Sequence, residues 1–197
     1  MACSGQVASE HPLQKIAATI KRQTRREHSM QAQDVDRVIR GEVVVQASIQ
    51  AAWDAWTTEE GIKAFFAPDC SVDLRVDGLY EIFFDPHAPR GQRGAEGMRI
   101  LALQPKKMLA FTWSAPSDLP NVRKQRTHVV VRFQQVAEGR VMVSLTHDGW
   151  GEGEEWDQAF EYFSRTWNEI VLPRLKYRFS TGPVDWRNRP NLQDADD

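Results

Sequence analysis

The sequence predicts an α+β fold, a curved antiparallel sheet followed by one long amphipathic helix. Three observations carry this prediction. Between residues 70 and 147, apolar and polar residues alternate in a series of short runs, the period of half-buried strands. Turn residues separate neighbouring runs closely enough for antiparallel pairing. From Glu154 to Phe179 the apolar positions Trp156, Ala159, Phe160, Phe163, Trp167, Ile170, Val171 and Leu175 advance by threes and fours, which places them on one helical stripe.

Each element can be justified in order. The β-branched run over residues 37–49 reads as the first strand. Ser48 is placed to cap a helix carrying Ala52, Trp53, Ala55 and Trp56. A second short helix spans Glu59 to Phe66, with acids in its first turn where the helix dipole favours them. Pro68 follows as a stop. Cys70, Val72, Leu74 and Val76 then alternate with polar neighbours, and Asp77-Gly78 signals a hairpin turn. The returning strand, Leu79 to Phe84, puts Tyr80, Ile82 and Phe84 on one face. After a Pro- and Gly-bearing loop over residues 85–97 come strands at 98–103 and 108–113, the second with Leu109, Phe111 and Trp113 together. A further long loop, 114–126, carries Arg123, Lys124 and Arg126. Strands at 127–136 and 140–147 complete the sheet, and Val141, Val143, Leu145 and His147 share a face of the last. Pro173 lies inside the final helical stripe and should kink or break it.

The chain has 197 residues, enough for one domain with tails. That domain is expected at 36–179. Residues 1–35 are too polar to offset ordering entropy and are expected to be a disordered extension, with Met30 as an alternative start. Residues 180–197 are expected to be a polar, flexible tail. Lys plus Arg number 25 against 27 Asp plus Glu, a net charge of -2, which argues against a nucleic-acid binder. No run approaches the ~18 apolar residues of a membrane span, and no secretory h-region is present, so a cytoplasmic location is expected. Cys3 and Cys70 form no CxxC pair, and the five histidines are scattered without metal-ligand spacing. No metal and no cofactor are expected. Gly91, Gly94 and Gly97 do not join a strand directly to a helix, which disfavours a nucleotide-cradling loop.

Several local strings, in order, resemble a known family. Ala52-Trp53-Asp54-Ala55-Trp56-Thr57-Thr58-Glu59-Glu60-Gly61-Ile62 is similar to the segment that opens domains of the activator of heat-shock-protein-90 ATPase-like family. Asp77-Gly78-Leu79-Tyr80 stands where that family usually has Gly-Gly-x-Phe/Tyr, and Asp77 departs from it. Gln104 to Trp113 and Leu145-Thr146-His147-Asp148-Gly149-Trp150 match two further family strings. The resemblance implies membership of the START-like SRPBCC superfamily and its helix-grip fold, a sheet wrapped around a C-terminal helix and enclosing an apolar cavity. That superfamily includes carriers, polyketide cyclases and aromatases, hydrolases and co-chaperones, so the fold leaves function open.

Alternation and the helical stripe together nominate the residues facing such a cavity. They are Tyr80, Ile82, Phe84, Leu109, Phe111, Trp113 and His147 from the strands and Phe160, Phe163 and Trp167 from the long helix. Phe65 and Phe66 are expected to close one end. Seven Trp and nine Phe against three Tyr fit either an apolar cavity or a core filled by its own rings. His147 is the candidate catalytic residue, as a general acid or base; the alternative is a structural hydrogen bond. The leading expectation is a binding protein for a small apolar or amphipathic molecule. A cyclase- or hydrolase-like enzyme using His147 and a chaperone ATPase partner are the alternatives, and a homodimer stays open.

Overall fold

The computed structural model describes residues 37–192. The N-terminal extension, the question of Met30 and residues 193–197 lie outside the described residues. The elements are β1 (Ile39–Gln46), α1 (Ile49–Thr57), α2 (Glu59–Lys63), β2 (Asp69–Val72), β3 (Tyr80–Phe83), β4 (Gly94–Ala95), β5 (Ile100–Gln104), β6 (Met108–Trp113), α3 (Pro120–Arg123), β7 (Thr127–Ala137), β8 (Arg140–Asp148), α4 (Glu154–Arg165), a π-helical segment (Thr166–Val171) and α5 (Leu172–Ser180). Five strands form an antiparallel sheet in the order β1-β8-β7-β6-β5, and β2-β3-β4 form a second. The two are continuous through backbone bonds from Tyr80 N–H to the Met98 carbonyl, 2.8 Å, and from Ile100 N–H to the Gly78 carbonyl, 3.0 Å. This is the predicted α+β helix-grip architecture.

The sheet's inner face follows the alternation. On β8 Val141, Val143, Leu145 and His147 are all buried, and on β7 Thr127, Val129, Val131 and Phe133 are buried. Phe163, Trp167, Val171 and Leu175 of the long helix join them in one apolar core. The helix crosses β1 closely. A Cβ on Gly41 would meet the side-chain ends of Asn168 and Leu172. Ser48 caps α1 by accepting from Ala51 N–H, and Thr58 caps α2 by accepting from Gly61 N–H.

Four features differ from the sequence expectation. The β2–β3 connection is not a two-residue hairpin: Val72 pairs with Tyr80, and Asp77 N–H is taken up by the Ile100 carbonyl instead. Leu74 and Val76 are therefore exposed loop residues. The 114–126 loop contains α3, whose first backbone N–H groups, from Asn121 and Val122, donate to the Glu155 carboxylate. The long helix does not break at Pro173. It widens into the π segment just before that residue, and Pro173 falls in the first turn of α5, where a missing N–H is tolerated. Beyond α5 the chain is held: Val184 N–H donates to the Ala64 carbonyl, and the Trp186 indole donates to the Lys63 carbonyl at 2.6 Å.

The tight α1–α2 corner depends on Gly61. A Cβ there would press into the Asp54 carbonyl oxygen and lie 2.6 Å from Ala55 Cα, both backbone atoms that cannot step aside. Gly61→Ala is expected to destabilise the fold by about 1–3 kcal/mol. Gly41→Ala meets only side-chain ends and should cost less than about 1 kcal/mol. Denaturant unfolding of both variants checks this, and equal losses would contradict the assignment.

Candidate functional site

The deep interior is filled by rings. Phe65, Phe66, Tyr80, Ile82, Leu109, Phe111, Trp113 and Trp167 are all buried. Trp113 sits at the centre of the ring cluster, with centroids 5.8 Å from Phe66 in a stacked pair, 5.5 Å from Trp167 and 5.7 Å from Phe111. Such separations are those of rings in mutual contact. Tyr80 contacts Phe111 at 4.5 Å, and its hydroxyl donates to the Trp56 carbonyl at 2.8 Å. Of the two arrangements that the composition allows, an apolar cavity or a core filled by its own rings, this part of the inner face has the second. Most of the nominated residues meet one another, and Phe65, Tyr80, Ile82, Leu109 and Phe111 border neither hollow described below. Phe160 faces outward of this cluster, against Trp150 and under the Arg37 guanidinium.

His147 lies at the end of this cluster with no exposed surface. Its register partner on β7 is Val129, two residues from Thr127 on the same face. The Trp167 indole nitrogen is 3.0 Å from His147 Nδ1, and Thr127 Oγ1 is 2.7 Å from His147 Nε2. An indole N–H can only donate, so Nδ1 is the bare nitrogen and the ring proton is on Nε2. That proton is donated to Thr127 Oγ1, whose own hydroxyl is 3.4 Å from the Trp113 carbonyl. Trp150 adds a bond from its indole to the His147 carbonyl, 3.0 Å. Burial lowers the His147 pKa from its ordinary 6.5 to about 3, with His128 contributing in the same direction. Both ring nitrogens are engaged and the ring is neutral, so the geometry supports the structural alternative over acid–base chemistry.

Open space lies beside the cluster instead. One hollow of about 200 Å³ is lined by Phe66, Trp113, Trp167, Ile170, Val171 and Arg174, among others. A second, of about 160 Å³, lies against the 85–93 and 114–117 segments, with Ala95, Ser114 and Arg123 in its wall. Phe84, Trp113, Tyr162 and Phe163 line both. Phe84 and Tyr162 are 39% and 49% exposed, whereas Trp113 and Phe163 are 2% and 5% exposed. The shared wall therefore runs from accessible rings down to the core. Trp113 Nε1 and Ser114 Oγ are buried without a protein hydrogen-bond partner, an arrangement that costs about 1–3 kcal/mol per group.

Arg123 and Arg93, two of the basic residues in these loops, are engaged within the protein. Arg123 donates to the carbonyls of Ala115, Gly91 and Gly94, which ties the loops together over the second hollow. Arg93 pairs with Glu96 at 2.8 Å and lies over the Phe83 ring. Cys70 is buried, and burial pushes its thiol up to about 12. Among the described residues no three His, Cys, Asp or Glu side chains are grouped to hold a metal, and no helix is long and apolar enough to cross a membrane. Sequence reasoning missed Thr127 and Tyr162. The first was legible as the inward start of the Val129, Val131, Phe133 alternation; the second sits off the apolar stripe and left no signal.

The buried neutral His147 makes stability depend on pH. The unfolded chain takes up a proton on this ring near 6.5 and the folded chain only near 3. Its contribution is fully present above pH 6.5 and is lost as pH falls through that window, by up to ~1.4 kcal/mol per pH unit. His147→Gln, which can still accept from Trp167 and donate to Thr127, should show a shallower loss between pH 6 and 4 in urea unfolding. An identical slope in both proteins would contradict the assignment.

Comparison with known proteins agrees with this architecture. The family model described as Activator of Hsp90 ATPase homolog 1-like protein matches residues 46–179. No curated protein matches the chain. Among solved structures, the Aha1 dimer from Colwellia psychrerythraea is 20% identical, with a TM-score of 0.56 over 74% of this chain and 97% of that one. A putative protein in the dynemicin biosynthetic locus is 17% identical, with a TM-score of 0.57 over 75% of this chain and 49% of that one. An HSP90 activator from Plasmodium falciparum is 16% identical, with a TM-score of 0.50 over 68% and 91%. At these identities the structures speak to the fold alone, whereas the family model covers most of the domain. The chain belongs to the Activator of Hsp90 ATPase homolog 1-like family.

Proposed function

We propose that this protein binds a small apolar or amphipathic molecule in the paired hollows beside the ring cluster. The observation that carries the reading is the shared wall: the part-exposed rings of Phe84 and Tyr162 adjoin the buried rings of Trp113 and Phe163. Exposed rings that lead onto a concave apolar surface are the usual lining of a ligand site. Trp113, in that wall, and Ser114, in the wall of the second hollow, each carry a buried polar atom without a protein partner, which supports the reading further. A cytoplasmic setting is part of this reading. The enzyme alternative finds no support at His147, whose nitrogens are both engaged.

Trp113 and Trp167 report on the site directly. Intrinsic fluorescence, titrated with a panel of small aromatic and aliphatic amphiphiles, should change saturably for at least one compound. Phe84→Ala, at a part-exposed position, should weaken that binding by about tenfold while changing stability by less than about 1 kcal/mol. A response to no member of the panel would overturn the reading.

A second reading, a chaperone ATPase activator, is favoured by the family description and by the Plasmodium falciparum likeness. It predicts a faster ATPase rate of an Hsp90-type chaperone when this protein is added in excess. An unchanged rate, with no complex on co-purification, would remove it.

A further inference from the structure

The larger hollow ends at two cations. Arg174, on α5, and Arg189, beyond it, both line the hollow that also contains Phe66, Trp113 and Trp167. Neither is among the salt bridges or side-chain hydrogen bonds of the described residues. Instead both guanidiniums lie against one ring: Arg174 is 5.2 Å and Arg189 5.9 Å from the Trp186 centroid. That ring is itself fixed by its 2.6 Å bond to the Lys63 carbonyl. Burial, and the neighbouring Arg189, hold the Arg174 pKa below its ordinary value.

Two like charges brought together without a carboxylate repel each other. Stacking on an aromatic face holds a guanidinium in place and leaves its N–H fork free for an oxyanion. The fork matches a carboxylate in a bidentate geometry. An anion seated between them would relieve the repulsion and gain those bonds. Its remainder would extend along Ile170 and Val171 toward the rings of Phe66 and Trp113. The opposite arrangement, a cationic or neutral head at this end, would leave the repulsion in place.

We propose that the ligand of this protein is an apolar acid, whose carboxylate is held by Arg174 and Arg189 and whose ring or chain occupies the hollow lined by Phe66, Trp113 and Trp167. This inference rests on the binding reading above and specifies the ligand's chemical class.

The test uses the full-length protein and two isosteric probes, 2-naphthoate and 2-naphthamide, measured by titration calorimetry at pH 7.5. The acid should bind about tenfold more tightly than the amide. Raising NaCl from about 50 mM to about 500 mM should weaken the acid and leave the amide unchanged. Arg174→Met and Arg189→Met, which keep length and apolar packing, should each remove most of the preference of acid over amide. Circular dichroism and the melting temperature confirm that both variants fold. Equal binding of acid and amide would overturn the inference and leave the binding reading standing. Binding of neither probe, nor of any compound in the fluorescence panel, would overturn both. The C-terminus supplies Asp194, Asp196 and Asp197. An acid preference that emerges only when all three are replaced by Asn would also overturn the inference, because it would assign the two arginines to the chain's own carboxylates.

Discussion

An indole nitrogen can donate a hydrogen bond and do nothing else, and the joint between helix and sheet depends on that limit. Trp167 sets the His147 tautomer, His147 in turn makes Thr127 the acceptor, and Thr127 passes its hydroxyl proton toward the Trp113 carbonyl. The chain of bonds therefore has one direction and links the long helix to β8, β7 and β6. The π segment belongs to the same arrangement. It lets the helix continue past Pro173 and carries Trp167 within its widened turn. A π turn inside an α-helix commonly accompanies such a specific side-chain requirement. Apolar packing alone would accept several rotations of the helix over the sheet, whereas this polar joint accepts one.

The ring cluster decides where a small molecule can go. Helix-grip domains place their helix across a concave sheet, and the space between depends on the side chains that enter it. Here Phe65 and Phe66, from the segment after α2, project into that space: Phe65 meets Trp56 edge-on, the two Phe rings stack on each other, and Phe66 stacks on Trp113. The remaining volume is displaced to the flank, where the 85–93 and 114–126 segments are bound to each other through Arg123. The Trp content is thus divided between two uses: Trp56 fills the core, and Trp113 and Trp167 do so while also lining the hollow.

The fold was largely legible because period and burial agree wherever a strand lies at the sheet's centre. Val141, Val143, Leu145 and His147 alternate in sequence and are buried in the structure. Legibility failed where a long-range partner overrode a local signal. Asp77-Gly78 carries hairpin chemistry, yet Asp77 bonds to Ile100 and the turn opens into a loop. Pro173 is a helix breaker by its own chemistry, yet the π turn accommodates it. For the site, sequence placed Phe65, Phe66, Tyr80, Phe111, Trp113, Phe163 and Trp167 inside, where they are buried, but also Phe84, which is 39% exposed, and could not tell contact from cavity. That distinction depends on ring orientation, as in the 11° stack of Phe66 on Trp113, which has no counterpart in periodicity. Trp186 was the clearest surprise, since a polar neighbourhood concealed a ring that is fixed on Lys63 and supports two arginines.

The strand order β1-β8-β7-β6-β5 also has a consequence in time. Among the described residues β1 is the first strand made, and its sheet partner is the last: Ile39 lies opposite His147. A ribosome releasing this chain from its N-terminus exposes β1 with no strand to pair until β8 emerges, and α4 and α5, which cover the rings, follow later still. Closing so long a loop is entropically costly and slow. During synthesis the aromatic face is left uncovered, and the nascent chain is open to capture by any holding factor that binds apolar surface. The last described segment, with Trp186 against Lys63, is tied back to α2, one of the first described elements to be made.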